Sequence, residues 1–251
     1  MVKKLTKILT ISIIIFLILN CSKKNTRLIL DEDGYYKKII KEFENKNYND
    51  FQEDAEYFLS DYQGSDKVPY IQFLLGESYF NEEDFAEAIA EYNRVIYKYP
   101  DSEYIDDSYY KIGVSYYKQR LHPQRDQANT KKAIYYLNKS MELSSEFNTK
   151  AEEMISKCRN ILAKKRYFRA EFYFKRDNYD VSINILNDAI DEYSNTDLID
   201  NFYYLLSYNY LEKKDKDKAM AFIKKAINEN TGKNDFKEEM EELKEKIKSI
   251  R

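Results

Sequence analysis

The chain has 251 residues, 43% of them hydrophobic, which is enough apolar material for a core spread along an elongated fold. Five Gly and three Pro are too few for the many turns of a sandwich or barrel. A net charge of −3 lacks the basic footprint that nucleic-acid binding needs, so the Lys-rich runs read as solvated helix faces and no nucleic-acid partner is expected.

Lys3, Lys4 and Lys7 form a basic start, followed by twelve mostly apolar residues from Ile8 to Leu19. As a helix that run would span roughly 18 Å, short of a ~30 Å hydrocarbon core, so residues 1–20 read as a signal peptide rather than a membrane span. Ile18-Leu19-Asn20-Cys21 is similar to a bacterial lipobox, which makes Cys21 the expected lipidated amino terminus, with Asn20 where Gly, Ala or Ser is usual. Loss of residues 1–20 takes the net charge to −6. Residues 21–33 are then a lipid-bearing linker.

From there the chain repeats. Leu75, Gly76, Tyr79, Ala88, Tyr92 and Pro100 have the spacing of one tetratricopeptide repeat, a helix pair of ~34 residues with small residues at the helix crossing and a closing Pro. Tyr48, Phe51, Ala55, Phe58 and Tyr62 form a degenerate copy upstream. Gly113 and Tyr116 lie thirty-seven residues beyond Gly76 and Tyr79 and start a third copy, whose second helix resumes near Ala133 after an insertion from Gln119 to Gln127. Phe147 to Phe174 contains neither Gly nor Pro and suits one long helix running into the fourth copy, Ala170, Tyr173, Ser182, Leu186 and Ala189. Leu206, Ser207, Tyr210, Ala219, Ile223 and Ala226 make the fifth. Phe236, Met240, Leu243, Ile247 and Ile250 form one apolar stripe, expected to close the exposed end of the stack. Asp84 with Glu87, and Asp235 with Glu238, have capping-box spacing. The expected fold is all-α: about five helix pairs in two arms, residues 34–145 and 146–251, joined by the long helix and capped at the carboxyl end.

Catalytic chemistry has little to work with. His122 is the single His and cannot furnish a triad or a His-based zinc site. The Gly residues are scattered, so no phosphate loop exists. Cys158, with Cys21 acylated, has no intramolecular partner and reads as a small buried apolar residue. The chain reads as a binding protein, not an enzyme, and no cofactor or metal is expected.

Three residues before the small first-helix positions Ile39, Gly76, Gly113, Ala170 and Ser207 stand Tyr36, Phe73, Tyr110, Tyr167 and Tyr204; four after stand Phe43, Phe80, Tyr117, Phe174 and Leu211. Seven residues apart, the two positions share a helix face and form a double aromatic ladder. In a stacked solenoid the first helices line the concave side, so these rings are candidate peptide anchors. Tight curvature that buries them against adjacent repeats is the alternative. Glu77 and Glu171 either join the groove or face water.

The combination resembles one family, BamD, the lipoprotein subunit of the outer-membrane protein assembly machine. Tyr99-Pro100-Asp101-Ser102-Glu103-Tyr104 is similar to its repeat-closing motif, and Arg125-Asp126-Gln127 with Thr130 and Ala133 to its third-repeat insertion. Arg159, Leu162-Ala163, Ala170-Glu171 and Tyr173 resemble its third-to-fourth-repeat helix. The resemblance implies an outer-membrane lipoprotein on the periplasmic side that binds unfolded β-barrel precursors and docks on a BamA-like insertase among other assembly subunits. It places Tyr36, Phe73, Phe80 and Tyr110 in a client arm, and Arg176 and Tyr179 in a docking arm. The third copy ends in Ser144-Ser145 without Pro, and Gln63 stands where the first copy would have Pro. A generic envelope scaffold of the CpoB or pilus-assembly kind is the alternative, and an enzyme or ligand-binding receptor with a site in the Gln119–Gln127 loop a third.

Overall fold

A computed structural model describes residues 31–229 and 237–250. The lipobox with Cys21 and the Asp235 and Phe236 positions lie outside these residues. The described residues form eleven α-helices and no strand: α1 (Glu32–Glu44), α2 (Tyr48–Asp61), α3 (Val68–Asn81), α4 (Phe85–Lys98), α5 (Ile105–Lys118), α6 (Ala128–Leu143), α7 (Asn148–Phe174), α8 (Tyr179–Tyr193), α9 (Ile199–Glu212), α10 (Lys216–Glu229) and α11 (Lys237–Ser249). Each packs chiefly on its neighbours in sequence, as a solenoid requires. The fold is a tetratricopeptide-repeat solenoid of five helix pairs with a closing helix.

The repeat anchors define the crossings. Ile39, Ala170 and Ser207 on the first helices, and Phe51, Ala88, Ala133, Ser182 and Ala219 on the second, are fully buried. Gly76 and Gly113 are buried at the same register. In the fifth pair the two anchors touch, because Ser207 Oγ donates to the Ala219 carbonyl at 2.8 Å. Apolar clusters then bridge successive pairs: Tyr35, Ile39, Phe51 and Phe58 with Ile71 and Leu75, and Leu162, Ala170 and Leu186 with Phe202 and Leu206.

The link between first and second helices is the same in four pairs. Lys46, Glu83, Asp177 and Lys214 each lie seven residues beyond the small position, at φ of 59°, 63°, 56° and 61°. At each turn two backbone bonds close a Schellman motif, as where Glu83 N–H donates to the Phe80 carbonyl at 3.1 Å and Asp84 N–H to the Tyr79 carbonyl at 2.9 Å. No Gly occupies these left-handed sites, although it would relieve a strain of ~1 kcal/mol. Lys46→Gly and Lys214→Gly are each expected to stabilise the protein by about 0.5 kcal/mol net of the added unfolded-chain entropy. A higher urea midpoint for each variant is the check. The third pair lacks this turn, because Gln119–Gln127 is inserted there.

Three local expectations are corrected. Asp84 is the N-cap of α4 but makes no side-chain capping bond; its backbone, at ψ 71°, departs from extended cap geometry. The contact between Asp84 and Glu87 instead raises the Glu87 carboxyl. Phe147 lies just outside α7, as its N-cap. In the closing stripe Met240, Leu243 and Ile247 are buried, whereas Ile250, beyond the last turn of α11, is 39% exposed.

Repeat one carries a partly buried polar cluster that sequence spacing did not reveal. Asp54 accepts from Tyr35 Oη at 2.6 Å and pairs with Lys38, whose Nζ lies 3.5 Å from Glu42. Desolvation first, then repulsion by Asp54, pushes Glu42 up to about 7, and its second oxygen is buried without a hydrogen-bond partner. A carboxyl that is more basic folded than unfolded makes stability fall as pH rises from about 4.5 to about 7. Glu42→Gln should flatten that part of the profile and raise the urea midpoint at pH 8 more than at pH 5. An equal shift at both pH values would show that Glu42 is not the titrating group.

Candidate functional site

The ladder rings are all half-buried, and the fold uses one side of each row. The lower row closes the turns within repeats. Phe43, Phe80 and Phe174 sit in the last turn of their first helices and meet Tyr48, Phe85 and Tyr179, the first residues of the second helices, at 5.7, 5.4 and 5.7 Å between centroids. Tyr117, in the pair without the Schellman turn, instead carries the Arg120 guanidinium 4.0 Å from its ring centroid.

The upper row reaches forward to the next repeat. Tyr36 lies under Lys67 Nζ at 5.7 Å, Phe73 stacks on Tyr104 at 5.4 Å, and Tyr110 stacks on Phe147 at 4.6 Å. Lys67, Tyr104 and Phe147 are the N-cap residues of α3, α5 and α7, and none makes a side-chain capping bond. Their side chains cover the preceding rung instead. Tyr167 and Leu198, the N-cap of α9, border one cavity, and burial pushes the Tyr167 hydroxyl up to about 12. Tyr204 packs edge-on to Tyr208 at 5.1 Å. The partners Tyr104 and Phe147 fall outside the ladder spacing. Pairs of aromatics thirty-one and thirty-seven residues apart, Phe73 with Tyr104 and Tyr110 with Phe147, were the available signal.

The two carboxylates beside the small positions differ: Glu77 ties helices together, whereas Glu171 makes only a surface pair. Glu77 accepts from buried Tyr92 Oη and pairs with Lys111 at 2.6 Å, tying α3, α4 and α5 together; Glu171 pairs with Lys175 at 2.9 Å on its own helix. Cys158 is fully buried, and desolvation pushes its thiol up to about 12, so it is packing rather than a reactive group. Arg176 and Tyr179 lie together at the turn from α7 to α8. Arg176 is exposed, its guanidinium 3.5 Å from the Phe172 ring centroid, and Tyr179 Oη donates to Asp177 at 2.8 Å.

The insertion is ordered by one buried amide. Gln127 Nε2 donates to the His122 carbonyl at 2.9 Å and lies 3.3–3.4 Å from those of Leu121 and Arg125, while its oxygen accepts from Thr130 at 2.6 Å. The loop then lies against α7: Lys165 Nζ donates to the Arg125 carbonyl at 3.0 Å, and His122 stacks on Phe168 at 6.3 Å.

Helix pairs in this order, with an insertion in the third and a long α7 after it, are the features of the assembly lipoproteins the sequence resembles. The profile of the YfiO outer membrane lipoprotein family, the BamD family, matches residues 30–219. The chain belongs to that family. Membership associates it with the outer membrane as a lipoprotein-type scaffold. The match takes in every ladder residue, the insertion and α7, and stops at Ala219, so α11 lies beyond it. No curated protein sequence matches the chain. Among solved structures, the TPR2AB-domain:pHSP90 complex of yeast Sti1 is 14% identical, with 87% of this chain and 98% of that one covered at a TM-score of 0.45. A tetratricopeptide repeat protein from Parabacteroides merdae is 14% identical, with 87% and 99% covered at 0.38. A thermophilic repeat protein from Thermus thermophilus is 13% identical, with 88% and 100% covered at 0.33.

Proposed function

We propose that this YfiO-family chain is a non-catalytic subunit of an outer-membrane β-barrel assembly machine, held at the periplasmic face by lipid on Cys21. Its inner face binds unfolded barrel precursors, with Tyr36, Phe73, Phe80 and Tyr110 in the client arm. The turn bearing Arg176 and Tyr179 belongs to the arm that docks on a BamA-like insertase. The family match across residues 30–219 carries this reading. The ladder supports it in part: one side of Tyr36, Phe73 and Tyr110 is held by the next repeat, which would fix the other side as a preorganised contact at little entropic cost.

The test is crosslinked pull-down from native membranes with depletion of the chain. Co-purification of a BamA-like barrel protein and a fall in barrel-protein levels are expected. Unchanged levels, with wall-synthesis or pilus components recovered instead, would assign the chain to the envelope-scaffold alternative. A Cys21→Ala variant should stay in the soluble fraction and take up no labelled palmitate.

A further inference from the structure

The middle of α7 is strongly basic in an otherwise acidic chain. From Lys157 to Arg169 it carries six Lys or Arg and no Asp or Glu, against a net charge of −3 overall. Two cavities, of about 540 and 500 Å³, lie along this stretch and share Asn160, Ile161 and Lys164, so they form one trough across the helix. One bank is the inserted loop from Arg120 to Pro123, and the other is the Asp197–Asn201 corner of the fifth repeat. The floor is pinned: Asn160 Nδ2 donates to Asp197 at 3.1 Å, and the Asp197 backbone N–H returns a bond to Asn160 Oδ1 at 2.9 Å.

Charge and apolar surface alternate along the trough. Tyr117 and Tyr167, one ladder rung from each row, border it with Phe168. Arg120, Lys157 and Lys164 border it too, and among the described residues none has a carboxylate within 4.0 Å. Arg166, one face round the helix, does, and pairs with Glu192 at 3.0 Å. Arg120 is held in place, stacked over Tyr117 and donating to its carbonyl at 2.9 Å.

We propose that this trough binds an acidic segment of a partner protein in extended form, with aromatic or large apolar residues between its carboxylates. Lys157 and Lys164 are two helical turns apart, roughly 10 Å. Carboxylates two to four residues apart on an extended strand, ~7–13 Å, span that interval. A recess between a loop and a helix corner admits a single chain and not the flat face of a bilayer. The proposal rests on the reading of the inner face as a peptide groove, and adds the charge and side-chain class its centre selects.

The probe is a labelled octapeptide alternating Asp and Phe, with an Asn-for-Asp counterpart, titrated by fluorescence anisotropy against the full chain at about 50 mM salt. The acidic peptide is expected to bind at least tenfold more tightly than the neutral one and to weaken as salt rises. Lys157→Glu with Lys164→Glu should abolish that preference, and the milder Lys157→Gln with Lys164→Gln should reduce it, helicity being unchanged by circular dichroism. Equal binding of both peptides overturns the charge assignment while leaving a peptide groove in place. Binding of neither peptide overturns it together with the groove at this position. Binding of phosphatidylglycerol vesicles instead, lost in the same variants, assigns these cations to lipid and overturns it as well.

Discussion

Gly113→Ala is expected to destabilise the third repeat by about 2–3 kcal/mol, and Gly76→Ala the second by about 1–2 kcal/mol. In an open helix the same change would stabilise by ~1 kcal/mol, so the sign depends on what the new methyl meets. At Gly76 it would lie 2.6 and 2.7 Å from Tyr92 Cε1 and Cδ1. That ring can give only a little: it is fully buried, backed by Phe73 at 5.7 Å, and its hydroxyl is fixed by Glu77. At Gly113 the methyl would lie 2.7 Å from Leu137 Cγ and 3.1 Å from the Leu137 backbone nitrogen, so α6 itself would have to retreat. A side chain yields more readily than a helix backbone, which sets the order. Gly64→Ala is the control, since nothing lies within 4 Å of its added carbon. Urea unfolding of the three variants measures this. Tyr92→Leu combined with Gly76→Ala should lose at least 1 kcal/mol less than the two changes summed, because the clash partner is gone. An additive pair would mean that Tyr92 is not what confines Gly76.

The glycines also show which parts of the molecule its sequence encodes openly. A helix crossing needs a small residue at a fixed place in a fixed period, so Gly76, Ala88, Ala133, Ala170 and Ala219 announce the repeats. The long α7 was legible for the converse reason, the lack of any Gly or Pro between Phe147 and Phe174. The connections were not. Lys46, Glu83, Asp177 and Lys214 adopt a conformation that favours Gly, so residue type gave no hint of the Schellman turns they share. Nor did composition reveal the N-cap residues: Lys67, Tyr104 and Phe147 are a cation and two aromatics, none a side chain that caps a helix, and each covers the ring of the preceding repeat. The basic trough was hidden for a third reason. Its cations look like a solvated helix face until the fold lays the inserted loop and the Asp197 corner on either side of them.

Phe73→Ala with Tyr110→Ala is therefore expected to act on both stability and binding, and single substitutions can separate the two. Each ring is half-buried, and its truncation forfeits the stack on Tyr104 or Phe147, about 2 kcal/mol apiece. The double variant should unfold at a clearly lower urea concentration, and loss of client-peptide binding in it proves little by itself. Tyr110→Phe is more telling. It keeps the 4.6 Å stack on Phe147 and removes only the hydroxyl, so stability should stay within about 0.5 kcal/mol of the parent. If Tyr110 meets the backbone of an extended client, that change alone should weaken peptide binding by roughly fivefold to tenfold, the worth of one hydrogen bond. Phe73→Leu tests the neighbouring rung by keeping apolar volume while removing the flat face. Parent-like affinity in both conservative variants would confine the upper row of rings to holding repeat to repeat, and the client site would then have to lie elsewhere on the inner face.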